Sequence, residues 1–328
     1  MAKTQSLVGI CFAGVQKLQM RRQMPPEMLY LKWMGMAAKI QQRNEVVNRQ
    51  CIELHTKLAA DGFRSCILKG QGIAQFYPEF LRSLRQSGDI DIWVDGERDE
   101  IIEIITRTGV KTGAVDMKHW DVHFFDDTEV EVHFRPTWFY SPIHDRRFMK
   151  WVTSHKKELF VNSEENRFIS PSREFNLCFL LIHIYRHLFE EGIGLRQLLD
   201  YYFVLLASNE EDRKSAYDTV CKLGMKKFAA AVMYVLQVIL GLKEDFMLCG
   251  ASLKQGKELL EEIMIGGNFG KFDTRFGERR KGRLSRGFNT IERNMRFFCS
   301  YPSEILWSPV WKIWHWCWKW KMGYLKMK

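Results

Sequence analysis

The chain has 328 residues, 46% apolar and 27% charged, a balance that excludes a disordered or fibrous polymer and allows two domains, or one domain with helical additions. Its net charge of +10 is concentrated: residues 268–328 hold 14 Lys and Arg against 4 Asp and Glu, whereas residues 1–267 hold 35 of each sign. A neutral body with a basic tail points to a polyanionic neighbour such as phosphate groups, RNA or an anionic membrane surface.

The eight cysteines are scattered without a C-x-x-C spacing, which argues against a zinc or redox motif and fits reduced thiols in the cytoplasm. The early stretch SLVGICFAGV has no small-residue cleavage site and runs into Gln, Lys and Arg, so we expect a buried helix there. No uninterrupted apolar run reaches the ~18 residues of a membrane span.

Residues 1–60 read as helical, with a long periodic run from Glu27 that Asp61-Gly62 ends. A strand, FRSCILK, follows, and Gly70 permits a sharp turn into one helix, IAQFYPEFLRS. Next come the strand DIDIWV at 89–94, a helix at about 97–108, a strand DVHFF at 121–125, a turn at Asp126-Asp127 and the strand EVEVHF at 129–134. From about residue 170 the patterns are helical, with turns at 192–194, at Gly241 and at 266–270. The expectation is therefore an α+β chain in three parts: an N-terminal helical segment (1–60), an α/β core with a small mixed β-sheet (61–150), and a helical C-terminal domain (151–328) with a basic, Trp-rich tail.

Within DIDIWV, Asp89 and Asp91 point to one face of the strand while Ile90, Ile92 and Val94 point to the other. Two adjacent carboxylates repel unless a cation lies between them or one takes a proton. The alternative is a solvated strand end. In EVEVHF, Glu129, Glu131 and His133 likewise share a face, so if the two strands are neighbours, Glu129 or Glu131 completes a three-carboxylate cluster. Oxygen ligands of this kind suit Mg²⁺.

The order of strand, Lys-Gly turn, helix, G-D-I-D-I-W-V strand and E-V-H strand resembles the DNA polymerase beta-like nucleotidyltransferase superfamily. More closely it resembles the bacterial family known as uncharacterised nucleotidyltransferase. The residues that carry the likeness are 67–94 (ILKGQGIAQFYPEFLRSLRQSGDIDIWV), 130–136 (VEVHFRP) and 183–202 (HIYRHLFEEGIGLRQLLDYY). The resemblance implies a nucleotidyltransferase core that moves a nucleoside monophosphate from an NTP to an acceptor hydroxyl and releases pyrophosphate. The acceptor would be a small molecule, a sugar or a protein side chain.

By that resemblance Asp89, Asp91 and Glu131 are the catalytic, metal-holding residues for Mg²⁺ or Mn²⁺, with Glu129 as the substitute for Glu131. The family's E-x-H pattern falls on Glu131 and His133. Lys69, Gly70, Arg85, Gly88, His187 and Arg196 are candidate nucleotide-binding residues. Backbone N–H groups at the Gly70 turn suit an anion, and Arg85, or Arg82, offers bidentate contacts to phosphate. Gln71 stands where the superfamily has Gly or Ser. The competing class is a catalytically inactive protein of this fold that binds RNA or an anionic membrane through its tail.

Two further patterns carry less. His183 and His187 are spaced i, i+4, but H-I-Y-R-H lacks the glutamate of a zinc protease motif, and core packing or ligand contacts explain them better. The GGNFGK stretch at 266–271 is not a phosphate-binding Walker loop, because Ile265 stands in place of its first Gly and Phe272 follows the Lys. The tail holds six of the eleven Trp residues. On a helix Trp307, Trp311, Trp314 and Trp318 would form a stripe, either packed on other helices or lying at a membrane interface, and Pro309 fits best in that helix's first turn.

Overall fold

The computed structural model describes residues 1–19, 23–160, 168–270, 273, 275 and 283–324. The chain divides into two compact units, one made of Met1–Pro136 with Lys157–Ser172 and the other of Thr137–Lys156 with Arg173–Lys328.

The first unit begins with helices α1 (Val8–Gln19) and α2 (Glu27–Ala60), followed by strand β1 (Arg64–Ile67). Two single-turn helices, α3 (Gln71–Ala74) and α4 (Glu79–Arg82), lead to β2 (Ile90–Asp95), α5 (Arg98–Arg107), β3 (Lys111–Val115), β4 (His119–His123) and β5 (Val130–His133). The one helix expected across IAQFYPEFLRS is two. Pro78 excludes its preceding residue from helical geometry and supplies no N–H, so the chain breaks there and restarts with Pro78 as the N-cap of α4.

The five strands form one mixed sheet in the order β1-β2-β5-β4-β3. The inner pair β2 and β5 is parallel, and the other three pairings are antiparallel. Edge strand β3 was not apparent in the sequence. Its K-T-G-A-V composition is weak for a strand, and its pairing with β4 is irregular between Thr112 and Val115. Strand β4 also begins two residues before the expected Asp121.

Period-two alternation gives the sheet two unlike faces. Ile90, Ile92, Val94, Val122, Val130 and Val132 turn toward Val47, Cys51, Leu54 and Leu58 of α2 and Ile101 and Ile105 of α5, and together they make the buried core. Asp91, Glu131, Asp121, His133 and His119 lie on the opposite face. Each buried aliphatic side chain of this core contributes roughly 1.5–3 kcal/mol. That burial fixes the register, because a one-residue slip would put the carboxylates into the core.

The second unit starts with α6 (Pro142–Leu159), a helix not anticipated from the sequence. It continues through α7 (Arg173–Glu190), α8 (Leu195–Ala207), α9 (Glu210–Lys222), α10 (Lys226–Leu240), α11 (Leu253–Gly266), α12 (Arg283–Arg296) and α13 (Pro302–Lys321). Helix α7 is central to it: thirteen of its residues, from Phe175 to Phe189, are buried. The turn expected at 266–270 includes a short 3₁₀ segment, Asn268–Gly270, with Phe269 at φ 56°.

Helix α13 is anchored by Glu304, whose carboxylate accepts backbone N–H bonds from Tyr140 (2.7 Å) and Ser141 (3.1 Å) at the start of α6. Trp311 stacks on Trp138, with ring centroids 5.6 Å apart, and meets Tyr140 edge-on. Pro309 does not open this helix. Pro302 does, as the first helical residue, and Pro309 lies inside it. No helix among the described residues is long and apolar enough to cross a membrane.

Candidate active site

The register of the parallel pair assembles the site. Asp91 of β2 lies directly across from Glu131 of β5, and Glu131 lies across from Asp121 of β4. The next row on the same face places Trp93, His133 and His119 side by side. Asp89 enters from the loop just before β2 and is open to solvent.

Among the described residues, two sets of side chains have ligand atoms within 4.8 Å of one another: Asp89, Asp91 and Glu131, and His119, Glu131 and His133. Glu131 belongs to both. Glu129 belongs to neither; it is exposed, and its backbone carbonyl accepts a hydrogen bond from the Ile90 N–H at 2.9 Å.

Asp91 is only 2% exposed, so its charge must be balanced within the protein. Lys69 Nζ lies 2.5 Å from its Oδ1, and His133 Nε2, on a fully buried ring, lies 2.9 Å from the same oxygen. Both contacts fall on Oδ1. A carboxylate partner assigns the proton of His133 to Nε2 in this network. The same Nε2 is 3.2 Å from Glu131 Oε2. Lys118 Nζ stands 3.8 Å from that Oε2, on the β4 side.

These neighbours set the charge states. Burial works against the charge of Asp91, but Lys69 and the His133 hydrogen bond outweigh it and hold the carboxyl well below its usual range. Glu131 is likewise opposed by burial and brought down to about 2, chiefly by its contact with His133. The Lys69 ammonium loses by burial but gains more from Asp91, Asp89 and Glu131, so it stays charged. Asp89 moves the other way, raised first by the negative charge of Asp91. Burial and the nearby Lys118 push His119 down to about 4, which keeps its imidazole neutral and able to act as a ligand at pH 7.

A raised Asp89 beside an ionised Asp91 marks unrelieved repulsion between like charges, and a cation between them would remove it. The donor set therefore fits a hard divalent ion, with oxygen ligands from Asp89, Asp91 and Glu131. The His119, Glu131 and His133 set is richer in nitrogen and better matched to a softer ion.

The loop before β2 is positioned by glycines and by α2. Gly70 has φ 53°, a left-handed conformation that disfavours side chains. A Cβ on Gly72 would sit 2.2 Å from the Ile67 carbonyl oxygen, so only glycine fits there. Gln71, in place of the expected small residue, is buried and donates from Nε2 to Asn48 Oδ1 of α2 at 2.6 Å, tying the loop to that helix. Because α3 is a single turn, it adds little dipole to the Gly70 backbone. Arg85 is buried, and its carbonyl accepts from Asn44 Nδ2 at 2.7 Å; Gly88 is exposed.

Lys69, Asp89, Asp91 and Glu131 are thus brought together. His187 and Arg196 belong to the second unit, where both approach the Phe269 ring, at 5.2 and 5.7 Å. The residues that sequence reasoning missed are Lys118 and His119. The signal available was the alternation of His119, Asp121 and His123, which matches β4 once its start is moved back.

A five-stranded mixed sheet with acidic side chains gathered at its inner parallel pair, helices before it and a helical region after it, defines an α+β protein with a candidate metal-binding site on its sheet. More specifically, a family profile described as uncharacterised nucleotidyltransferase matches residues 1–241, and the chain belongs to that family. Among solved structures it is similar to an antigenic nucleotidyltransferase-like protein from Paracoccidioides brasiliensis, at 11% identity over 62% of this chain and 94% of that one, with a TM-score of 0.36. No curated protein matches it.

Proposed function

We propose that the protein transfers a nucleoside monophosphate from an NTP to an acceptor hydroxyl with release of pyrophosphate, using Asp89, Asp91 and Glu131 to hold Mg²⁺ or Mn²⁺. The observation that carries this reading is the pairing of Asp91 with Glu131 across β2 and β5, with Asp89 close enough to complete the cluster. When bound, the metal supplies Lewis-acid stabilisation of charge on the attacking and leaving oxygens.

The chain's own residues do the rest. Lys69 and His133 hold Asp91 ionised and in one orientation. A Glu131 carboxyl held near 2 is a poor proton acceptor, which favours a ligand role over general base. Lys69, Gly70, Arg85 and Gly88 border the entry to β2, where a triphosphate would lie against positive charge and backbone N–H groups.

The pairing of Lys69 with Asp91 also supports a second reading. An ammonium on Asp91 neutralises that carboxylate without a metal, as a binding protein retaining this fold would require. The two readings separate on incubation with each α-labelled NTP, Mg²⁺ or Mn²⁺, and a cell extract. Transfer predicts a labelled acceptor with the native protein and none with Asp89→Asn or Asp91→Asn. Labelling unchanged by both substitutions would overturn the assignment.

A further inference from the structure

Helix α13 presents an apolar face that stays exposed among the described residues. With about 100° between successive residues, Glu304, Ser308, Trp311, His315 and Trp318 lie on the inward side, and Glu304 and Ser308 are accordingly buried. On the outward side Leu306, Val310, Ile313, Cys317 and Trp320 fall within an arc of about 80°. Leu306 is 59% exposed, Ile313 67% and Trp320 71%. Indoles edge the strip on both sides, with Trp307 and Trp314 on one and Trp316 on the other.

The expected stripe of Trp307, Trp311, Trp314 and Trp318 is therefore divided. Trp311 and Trp318 face inward, while Trp307 and Trp314 stand at the margin of the exposed strip.

We propose that α13 is an in-plane membrane anchor whose exposed strip enters the interface of an anionic bilayer. Three observations select this occupant. The helix's exposed charges are cationic, Lys312 and Lys321, because its one acid, Glu304, is buried against α6. Residues 268–328 carry the whole +10 of the chain, which disfavours a second copy of this surface and favours anionic headgroups. An aliphatic centre with indole margins matches the gradient from acyl chains to headgroups, and a nucleic-acid backbone offers no place for the aliphatic line. The helix fails the criteria of a membrane span, so it lies along the surface.

The test is flotation of the full chain with vesicles of equal parts phosphatidylglycerol and phosphatidylcholine, and with vesicles of phosphatidylcholine alone. The native protein should float with the anionic vesicles, less so as salt is raised. The double substitution Ile313→Glu with Trp320→Glu should lower binding about tenfold or more. Both positions are exposed, and an unchanged thermal melt would establish that the fold survives. Lys312→Glu with Lys321→Glu should reduce binding to anionic vesicles while sparing the melt. The proposal is overturned if the native chain does not float with anionic vesicles at low salt, or if the Ile313/Trp320 variant floats as well as native. It is equally overturned if that variant instead turns a dimer into a monomer, or abolishes RNA binding, with no vesicle binding by the native chain.

Discussion

Asp91 and Glu131 face each other across the parallel strands β2 and β5, and one imidazole, that of His133, lies within 3.2 Å of both carboxylates. Glu129, two residues earlier, precedes β5 and lies outside the cluster. Glu131→Gln should therefore lower nucleotide transfer by roughly 10²–10³-fold, the scale of losing one charge-stabilising group at a reacting centre. Glu129→Gln should leave the rate within a few-fold of native. Initial rates with labelled NTP check this, and equal losses in the two variants would contradict the geometry.

His133 should act by positioning. Its ring is fully buried and its Nε2 approaches both carboxylates, so His133→Ala would leave Lys69 as the partner of Asp91 Oδ1 among the described residues. Loss of a partner that orients a ligand typically costs 10–100-fold in metal affinity or activity. Mn²⁺ titration followed by electron paramagnetic resonance should show weaker binding in His133→Ala, with partial rescue in His133→Gln, whose amide can donate to Asp91. A merely structural role for His133 would lower the melting temperature and leave Mn²⁺ affinity unmoved.

The parts of this site differ in how far the sequence reveals them. Alternation alone puts Asp89 and Asp91 on the face opposite Ile90 and Ile92, and Glu131 opposite Val130 and Val132. What it does not contain is the register that brings the two strands together, since that is set by long-range packing of β2 and β5 on α2 and α5. His119 and Lys118 were hidden because Phe124 and Phe125 draw the apparent strand two residues too far along, past the true end of β4 at His123. The Trp stripe failed for another reason. Trp307, Trp311, Trp314 and Trp318 do share one arc of about 60°, but the inward side is centred on Glu304 and Ser308, so only Trp311 and Trp318, at the near edge of that arc, turn inward.

The turn that presents Lys69 has no room for a side chain at Gly72. A Cβ there would meet the Ile67 carbonyl oxygen at 2.2 Å, and backbone cannot yield as a flexible side chain could. Gly72→Ala should cost about 1–3 kcal/mol, the usual range for overpacking. Urea unfolding would show this as a lower midpoint at unchanged slope. A variant as stable as native would mean the turn relaxes freely.

Thiol chemistry gives an independent check of the cores. Cys299 and Cys317 are exposed, the latter on the open strip of α13, whereas Cys51, Cys66 and Cys178 are buried. Burial pushes the Cys51 thiol up to about 12 and holds the Cys66 and Cys178 thiols well above their usual range, so none of the three carries thiolate at neutral pH. Brief alkylation of the native protein at pH 7.5 should modify Cys299 and Cys317 and spare those three, as read by peptide mass spectrometry. Anionic vesicles should then protect Cys317 more than Cys299.

Acid stability should depend on the ion-pair network around Arg275. Its guanidinium donates to Glu262 at 2.9 Å through both terminal nitrogens and also to Asp273 at 2.6 Å. Burial disfavours the Asp273 charge, but Arg275 overcomes this and lowers the carboxyl below its ordinary range. A carboxyl depressed in the folded state binds fewer protons there than in the unfolded chain, so stability falls as pH falls. The contribution of Asp273 is thus complete above its unfolded value of roughly 3.9 and disappears as pH drops through the lower folded value. Asp273→Asn should be less stable than native at pH 7 and converge on it in strong acid. Urea midpoints at several pH values from neutral downward measure this, and parallel curves for the two proteins would exclude an ionic role for Asp273.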